Sequence, residues 1–309
     1  MTTTTPTADT STATSVTIDE PVATHRRRRA RLGLILATSW LLLVVALAII
    51  ADLLPLQDPE IDVDKGTFLT PFSDTSEIFG TDALGRSTLS RLIYGARVSL
   101  VTGMVSVAIG MSLGLLIGVS AGYFRGKVDT TLGVVLDIVL AFPGLVLLLA
   151  LAAVLQPGIP TIIIGLSIIA TPLFARIARA NALQIAKQEY VLAARGLGAR
   201  TPTILFREVL PNVAASLLAL AGVVSAALIL AEAGLSFLGL GVPPPTPSWG
   251  NMISDGRQVL QYEPQVVFIP GIVLFLTIYA LNLVGEHLRS RSDAAARLCA
   301  RGCSRELLA

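Results

Sequence analysis

Three groups of residues in this 309-residue chain have types and spacings that invite chemistry. The first is Gly122-Tyr-Phe-Arg-Gly126-Lys127-Val128. A GxxxxGK phosphate cradle needs a Ser or Thr after its lysine to hold Mg²⁺. This stretch is one residue short and Val128 has no hydroxyl, so the chain is not expected to bind ATP there. The second group is Cys299 and Cys303 in CARGC. With no second cysteine pair and no histidine nearby, a disulfide framework or a zinc site is not expected. The third is a pair of acids, Asp137 and Glu232, each set in an apolar run. His25 opens a basic run, His287 ends an apolar one, and no HExxH occurs, so catalysis, cofactor and metal are all unexpected in this chain.

What positions the two acids is a membrane. The chain is 53% hydrophobic and 14% charged with a mean hydropathy of +0.73, outside the balance of a soluble domain. Runs of about 20 apolar residues cross a bilayer as helices, because backbone groups must be satisfied within the segment. Six such runs are predicted, at roughly 32–54, 98–122, 130–155, 159–180, 212–234 and 266–288, giving an all-α membrane protein. With the N-terminus inside, the inner segments hold every Lys and Arg except Lys65, Arg86, Arg91, Arg97 and Arg257. That bias makes both termini cytoplasmic. The Thr- and Ser-rich opening, with the RRRR run at Arg26 to Arg29, reads as a disordered basic tail over 1–31, since it holds too little apolar surface to offset ordering. The first apolar run follows as an uncleaved anchor.

Within this frame a charge near the bilayer centre is expensive and usually functional. Asp137 lies about 10 Å into the third run from its cytoplasmic end at 1.5 Å per residue, and Glu232 lies near the outer end of the fifth. At opposite depths they are badly placed to pass a proton to each other. Both are expected to be structural or gating groups paired inside the bundle. Gly110, Gly114, Gly118 and Gly122 leave a bare strip on the second span, which suits a tight packing seam, with a pore-lining or subunit contact as the other reading. Pro143-Gly144 and Thr171-Pro172 are expected to interrupt the third and fourth spans.

Between the fourth and fifth runs lies EYVLAARGLGARTPTILFREVLPN, residues 189–212, polar and basic. Strong helix formers from Asn181 to Arg195 predict that the fourth span continues into the cytoplasm. Gly196 and Gly198 stop it, Thr201-Pro202 start a second short helix as N-cap and first residue, and Leu210-Pro211 close that helix. The product is a small knob at the membrane face. Its apolar residues alternate with charges, so it either lies on headgroups as an amphipathic loop or fits a groove on a partner.

This stretch resembles the cytoplasmic loop of ABC importer permeases, whose pattern is Glu-Ala-Ala, three residues, Gly, nine residues, then an aliphatic near Leu-Pro. Ala193, Ala194, Gly198, Leu210 and Pro211 match. Leu192 stands in place of the usual glutamate, and Glu189 is the nearest acid, one turn earlier. FGTDALGRSTLSRLIYGARVSL at 79–100, AGYFRGKVD at 121–129, DIVLAFPGLVLLLALAAVL at 137–155 and LAEAGLSFLGLGVPPPTPSWGNMISDGR at 230–257 are similar to segments of the dipeptide/oligopeptide/nickel group, second permease subunit. The likeness covers roughly 32–290.

The resemblance implies a type I importer permease fold, with the first helix and an extracytoplasmic loop over 32–95, a permease domain over 96–289 and a cytoplasmic tail over 290–309. It implies a coupling helix between spans 4 and 5 that docks on an ATP-binding subunit. It also implies as partners a second permease, two ATP-binding subunits that hold ATP and Mg, and an extracytoplasmic binding protein in a bacterial plasma membrane. Lipid is a partner and nucleic acid is not. Peptides are the favoured cargo, with nickel or another small solute open. Two other classes stay open: an ion-coupled carrier using Asp137 and Glu232, and a scaffold that transports nothing. PPPTP ahead of Trp249 is expected to turn back against the outer face, with the indole at headgroup level, as a cap or as a contact for the binding protein.

Overall fold

The computed structural model describes residues 22–61, 66–72 and 77–306, with side chains only between 32 and 290. The expected disordered tail falls outside it over 1–21, and so do the side chains of His25, Cys299 and Cys303. Helix α1 (Val22–Ile50) already runs through the arginines, which are good helix formers, and ends in a 3₁₀ turn at Ala51–Leu53. Next come α2 (Thr88–Phe124), α3 (Gly126–Ala141), α4 (Gly144–Val154) and α5 (Ile159–Ile185). Short helices α6 (Glu189–Gly196) and α7 (Thr201–Ile204) follow, then α8 (Leu210–Phe237), α9 (Trp249–Gly256) and α10 (Gln265–Glu306). No β-strand occurs among the described residues.

Five of these segments are long and apolar enough to cross a membrane, and α3 with α4 make a sixth if the pair is one span. That pair is bent by 84°, so Pro143 and Gly144 do more than kink the third run. They divide it, because Phe142 and Pro143 both adopt extended backbone. Pro172, by contrast, sits within an unbroken α5, against expectation. There the Thr171 hydroxyl donates to the Ser167 carbonyl at 2.7 Å, and the buried neighbours of α2 and α8 hold the helix together.

The central contact is α2 against α5. An added Cβ at Gly110 would stand 2.8 Å from the Ala170 Cβ, one at Gly114 2.6 Å from the Phe174 Cβ, and one at Gly122 2.7 Å from the Arg179 carbonyl oxygen. Gly118 meets the Ala175 carbonyl oxygen at closer range still. The four glycines therefore form a packing seam within the fold, facing Ala170, Ala178 and Ala182. Two apolar cores flank it. One gathers α2, α5 and α8 around Phe174, Leu166 and Leu217; the other gathers α1, α2, α8, α9 and α10 around Trp249, Ile229 and Leu281.

Candidate functional site: the knob and the polar ends of the bundle

The knob is built from α6, α7, the turn between them and the wide turn over Leu205–Val209 that follows. Helix α5 does not continue into it: after Ile185 the chain turns through Ala186–Gln188, and α6 starts at Glu189 with Gln188 extended as its cap. Gly198 has φ +82°, and its N–H donates to the Arg195 carbonyl while the N–H of Ala199 reaches back to Ala194 at 3.0 Å, the 6→1 closure of a left-handed helix end. The next helix begins at Thr201, with Arg200 rather than Thr201 as cap. Leu210-Pro211 do not close it. One wide π turn over Leu205–Val209 takes up the register change that a proline without N–H demands, and the helix runs on as α8.

Val191, Ile204 and Val209 are buried and pin the knob to the core, whereas Leu197 is 90% exposed and Phe206 68%. Ala193 and Gly198 lie exposed beside Leu197, with Ala194 and Leu210 half-buried, and Glu189 and Pro211 at the exposed ends of the stretch. The Arg195 guanidinium donates to the Tyr123 hydroxyl at 3.1 Å and lies over its ring, tying the knob to the end of α2. Burial, and then the negative charge of Glu208, hold the Tyr190 phenol above its usual range.

The two intramembrane acids are not brought together. Asp137 is joined to Arg176 at 2.7 Å, but both side chains are exposed, at 66% and 58%, rather than shut inside the bundle as expected. The reason is azimuth: Leu136 is the buried residue of α3, and Asp137 lies a full 100° around the helix from it. Glu232 is wholly buried and accepts from the Ser236 hydroxyl at 2.8 Å, with Ser99 and Ser248 close by. It is thus held by hydroxyls and not by a cation.

At the bundle end opposite the knob stands a clamp that sequence reading missed. Asp82 accepts from its neighbours' backbone N–H groups at Leu84 and Arg86, and from the Arg86 side chain at 2.8 Å. Arg91 lies 3.5 Å from Asp82 and 3.3 Å from Asp255 of α9. Arg86 and Arg91 are almost wholly buried, so the loop before α2, α2 itself and α9 are bolted together through charge. Partial burial, with 42% of the side chain still exposed, raises Asp255 above the usual carboxylate range despite the pull of Arg91 and Arg86. Trp249 does not present its indole to headgroups. It is fully buried, its indole N–H donating to the Leu92 carbonyl at 3.1 Å where Gly95 leaves room. Tryptophan takes an interior site when its one donor finds a partner there. No cluster of His, Cys, Asp or Glu suited to a metal occurs among the described residues.

Comparison with known proteins places this geometry. Residues 114–294, more than half of the chain, match the family model described as "Binding-protein-dependent transport system inner membrane component". The "Glutathione transport system permease protein GsiD" of Pectobacterium atrosepticum is 36% identical over 256 residues, covering 82% of this chain and 84% of that one. The "Di/tripeptide transport system permease protein DppC" of Pseudomonas aeruginosa is 38% identical over 259 residues (82% and 85%). A "Putative peptide transport system permease protein" of Brucella suis is 39% identical over 268 residues (87% and 88%). In fold, a MetNI methionine ABC transporter chain in an inward-facing conformation superposes with a TM-score of 0.55 at 20% identity, over 65% of this chain and 96% of that one. An amino acid ABC transporter chain gives 0.51 at 18%, over 66% and 94%. Apolar helices tied by a glycine seam, a knob between two of them and relatives of one kind along most of the chain lead to one conclusion: this chain belongs to the binding-protein-dependent transport system inner membrane component family, as a multi-pass permease subunit of the ABC importer type and not an enzyme.

Proposed function

We propose that the chain is one of two permeases of an importer for di- and oligopeptides, working with two ATP-binding subunits and an extracytoplasmic binding protein. The observation that carries the reading is the knob: Leu197 and Phe206 expose large apolar side chains on a piece pinned from beneath by Val191, Ile204 and Val209. An exposed apolar tip on a rigid base suits insertion into a groove of a partner subunit. Glu189, Ala193, Ala194, Gly198, Leu210 and Pro211 frame that tip, and ATP with Mg is held by the partner. The knob and both termini are cytoplasmic, in keeping with the distribution of Lys and Arg. Peptide cargo is supported by what the relatives are named for, glutathione itself being a tripeptide.

Nucleotide-driven closure of the partner moves the knob, and the central cavity alternates between the two sides as one of two states is favoured. Asp137 and Glu232, far apart and held by different partners, offer no relay for an ion-coupled carrier. The test is to purify the tagged chain from its native membrane in mild detergent, identify the chains that come with it, assay ATP hydrolysis, and measure labelled dipeptide uptake after reconstitution. Co-purifying ATP-binding subunits and ATP-dependent dipeptide uptake are the expected result. A lone chain, or a complex whose hydrolysis and uptake ignore peptides, refutes it.

A further inference from the structure

The exposed Asp137–Arg176 pair lies well along its two helices, away from the knob end. Asp137 is about 16 Å along α3 from Gly126, and Arg176 about 14 Å along α5 from Ile185, at 1.5 Å per residue. A second pair, Asp129 with Arg179, stands on the same α3–α5 seam nearer the knob end, with an additional contact of 2.6 Å. Charges at such depth do not face lipid. The sector of α3 that bears Asp137 is small and polar, with Asp129 about 80° round the helix from it. At about 100° per residue, Gly126, Thr130, Gly133 and Asp137 fall in one sector about 60° wide, edged by the exposed Leu140 and Val134, and Val128, Val135 and Ile138 fall about 110–170° from its centre. Those three apolar residues are exposed and suit lipid. The small and polar strip is also open: a Cβ at Gly133 would meet no atom within 4 Å, and Thr130 is exposed.

We propose that this strip lines the aqueous route for substrate, and that Asp137 and Arg176 are the groups that read the charged ends of a peptide inside it. The inference rests on the peptide reading above. The chemistry is an exchange of partners: the peptide's ammonium replaces Arg176 at Asp137, and its carboxylate replaces Asp137 at Arg176. Each charge remains paired throughout, so the route holds neither end in an uncompensated state. A single contact between the two side chains, one guanidinium nitrogen on one carboxylate oxygen, makes that exchange easy.

The experiment uses the assembled complex in vesicles, with Cys299 and Cys303 replaced by Ser. Gly133→Cys is expected to react with a charged, water-soluble thiol reagent and Val135→Cys to resist it. A Gly133→Cys that stays unlabelled makes the strip a dry contact with the second permease and overturns the proposal. In uptake, Arg176→Gln is expected to raise KM about tenfold or more for a dipeptide with a free carboxylate, and to change little for its C-terminal amide. Asp137→Asn is expected to do the same for the free amine against its N-acetyl form. Equal losses on all of these peptides reduce the pair to a structural one and overturn the recognition. An intact complex that imports no peptide sinks the cargo reading and the reading of ends with it, while thiol labelling still decides whether the strip is wet.

Discussion

Gly114→Ala adds one methyl to α2 at a place where the nearest atoms cannot step aside. The new Cβ would stand 2.6 Å from the Phe174 Cβ, 2.8 Å from the Ala175 nitrogen and 2.9 Å from the Thr171 carbonyl oxygen, all belonging to the backbone or base of α5. Ordinary contact begins near 3.4 Å. The two helices must part locally by about 0.8 Å, which loosens the glycine rows above and below. Overpacking of this kind costs about 1–3 kcal/mol, while alanine in place of glycine returns up to about 1 kcal/mol of helix preference. Gly271→Ala in α10 separates the two effects, because no atom lies within 4 Å of its added Cβ. It gains the preference without the clash. Thermal unfolding of the detergent-solubilised complex, followed by fluorescence-detected size exclusion, should place Gly114→Ala below the parent and Gly271→Ala level with it or above. At about 2–4 °C per kcal/mol the two variants should differ by several degrees. A Gly114→Ala that melts as high as Gly271→Ala would refute the seam.

Gly198→Val forces a β-branched residue into φ +82° and is expected to abolish ATP-coupled uptake while the chain still inserts and assembles; normal uptake removes the turn from the coupling path. Arg91→Met leaves Asp82 and Asp255 short of a buried partner and should destabilise the complex by about 3 kcal/mol, read as a lower melting temperature; an unchanged melt denies the clamp any structural weight. Asp255, lifted by burial, keeps its proton in the native state at pH values where the unfolded chain has lost it. Stability should therefore fall as pH rises from the ordinary carboxylate value through the raised one and then level off. Asp255→Asn should flatten that slope, and a slope that persists unaltered assigns it elsewhere.

The glycine period was legible because a spacing of four places residues on one side of a helix whatever the fold around it, and α5 supplies the small partners. The knob was legible through its glycines. Its joint to α8 was not: Pro211 signals the end of a helix locally, and only the packing of Val209 and Val213 shows the backbone widening by one residue to carry it through. The clamp was hidden for another reason. Arg91 and Asp255 are 164 residues apart, and an arginine ahead of the predicted second span looks solvated until α9 folds over it. Trp249 misled because its amphipathic ring suits an interface as well as a core, and the Leu92 carbonyl that decides the matter belongs to α2, 157 residues away. Asp137 was expected inside the bundle, but its azimuth, which depends on where α5 and its Arg176 stand, leaves it exposed.

The π turn has a mechanical side. From Thr201 to Phe237 the chain is one uninterrupted helical rod of 37 residues, about 55 Å long, with the knob at one end and Glu232 near the other. The link from the knob back to α5, by contrast, is a non-helical elbow at Ala186–Gln188. A tilt of about 5° imposed on the rod at the knob sweeps its far tip through about 5 Å, an arc that follows from the rod's length alone. Force applied at the knob thus has an arm of fixed length on the α8 side and a bend in the chain on the α5 side, a geometry that suits α8 as the crank and α5 as the bearing on which it turns.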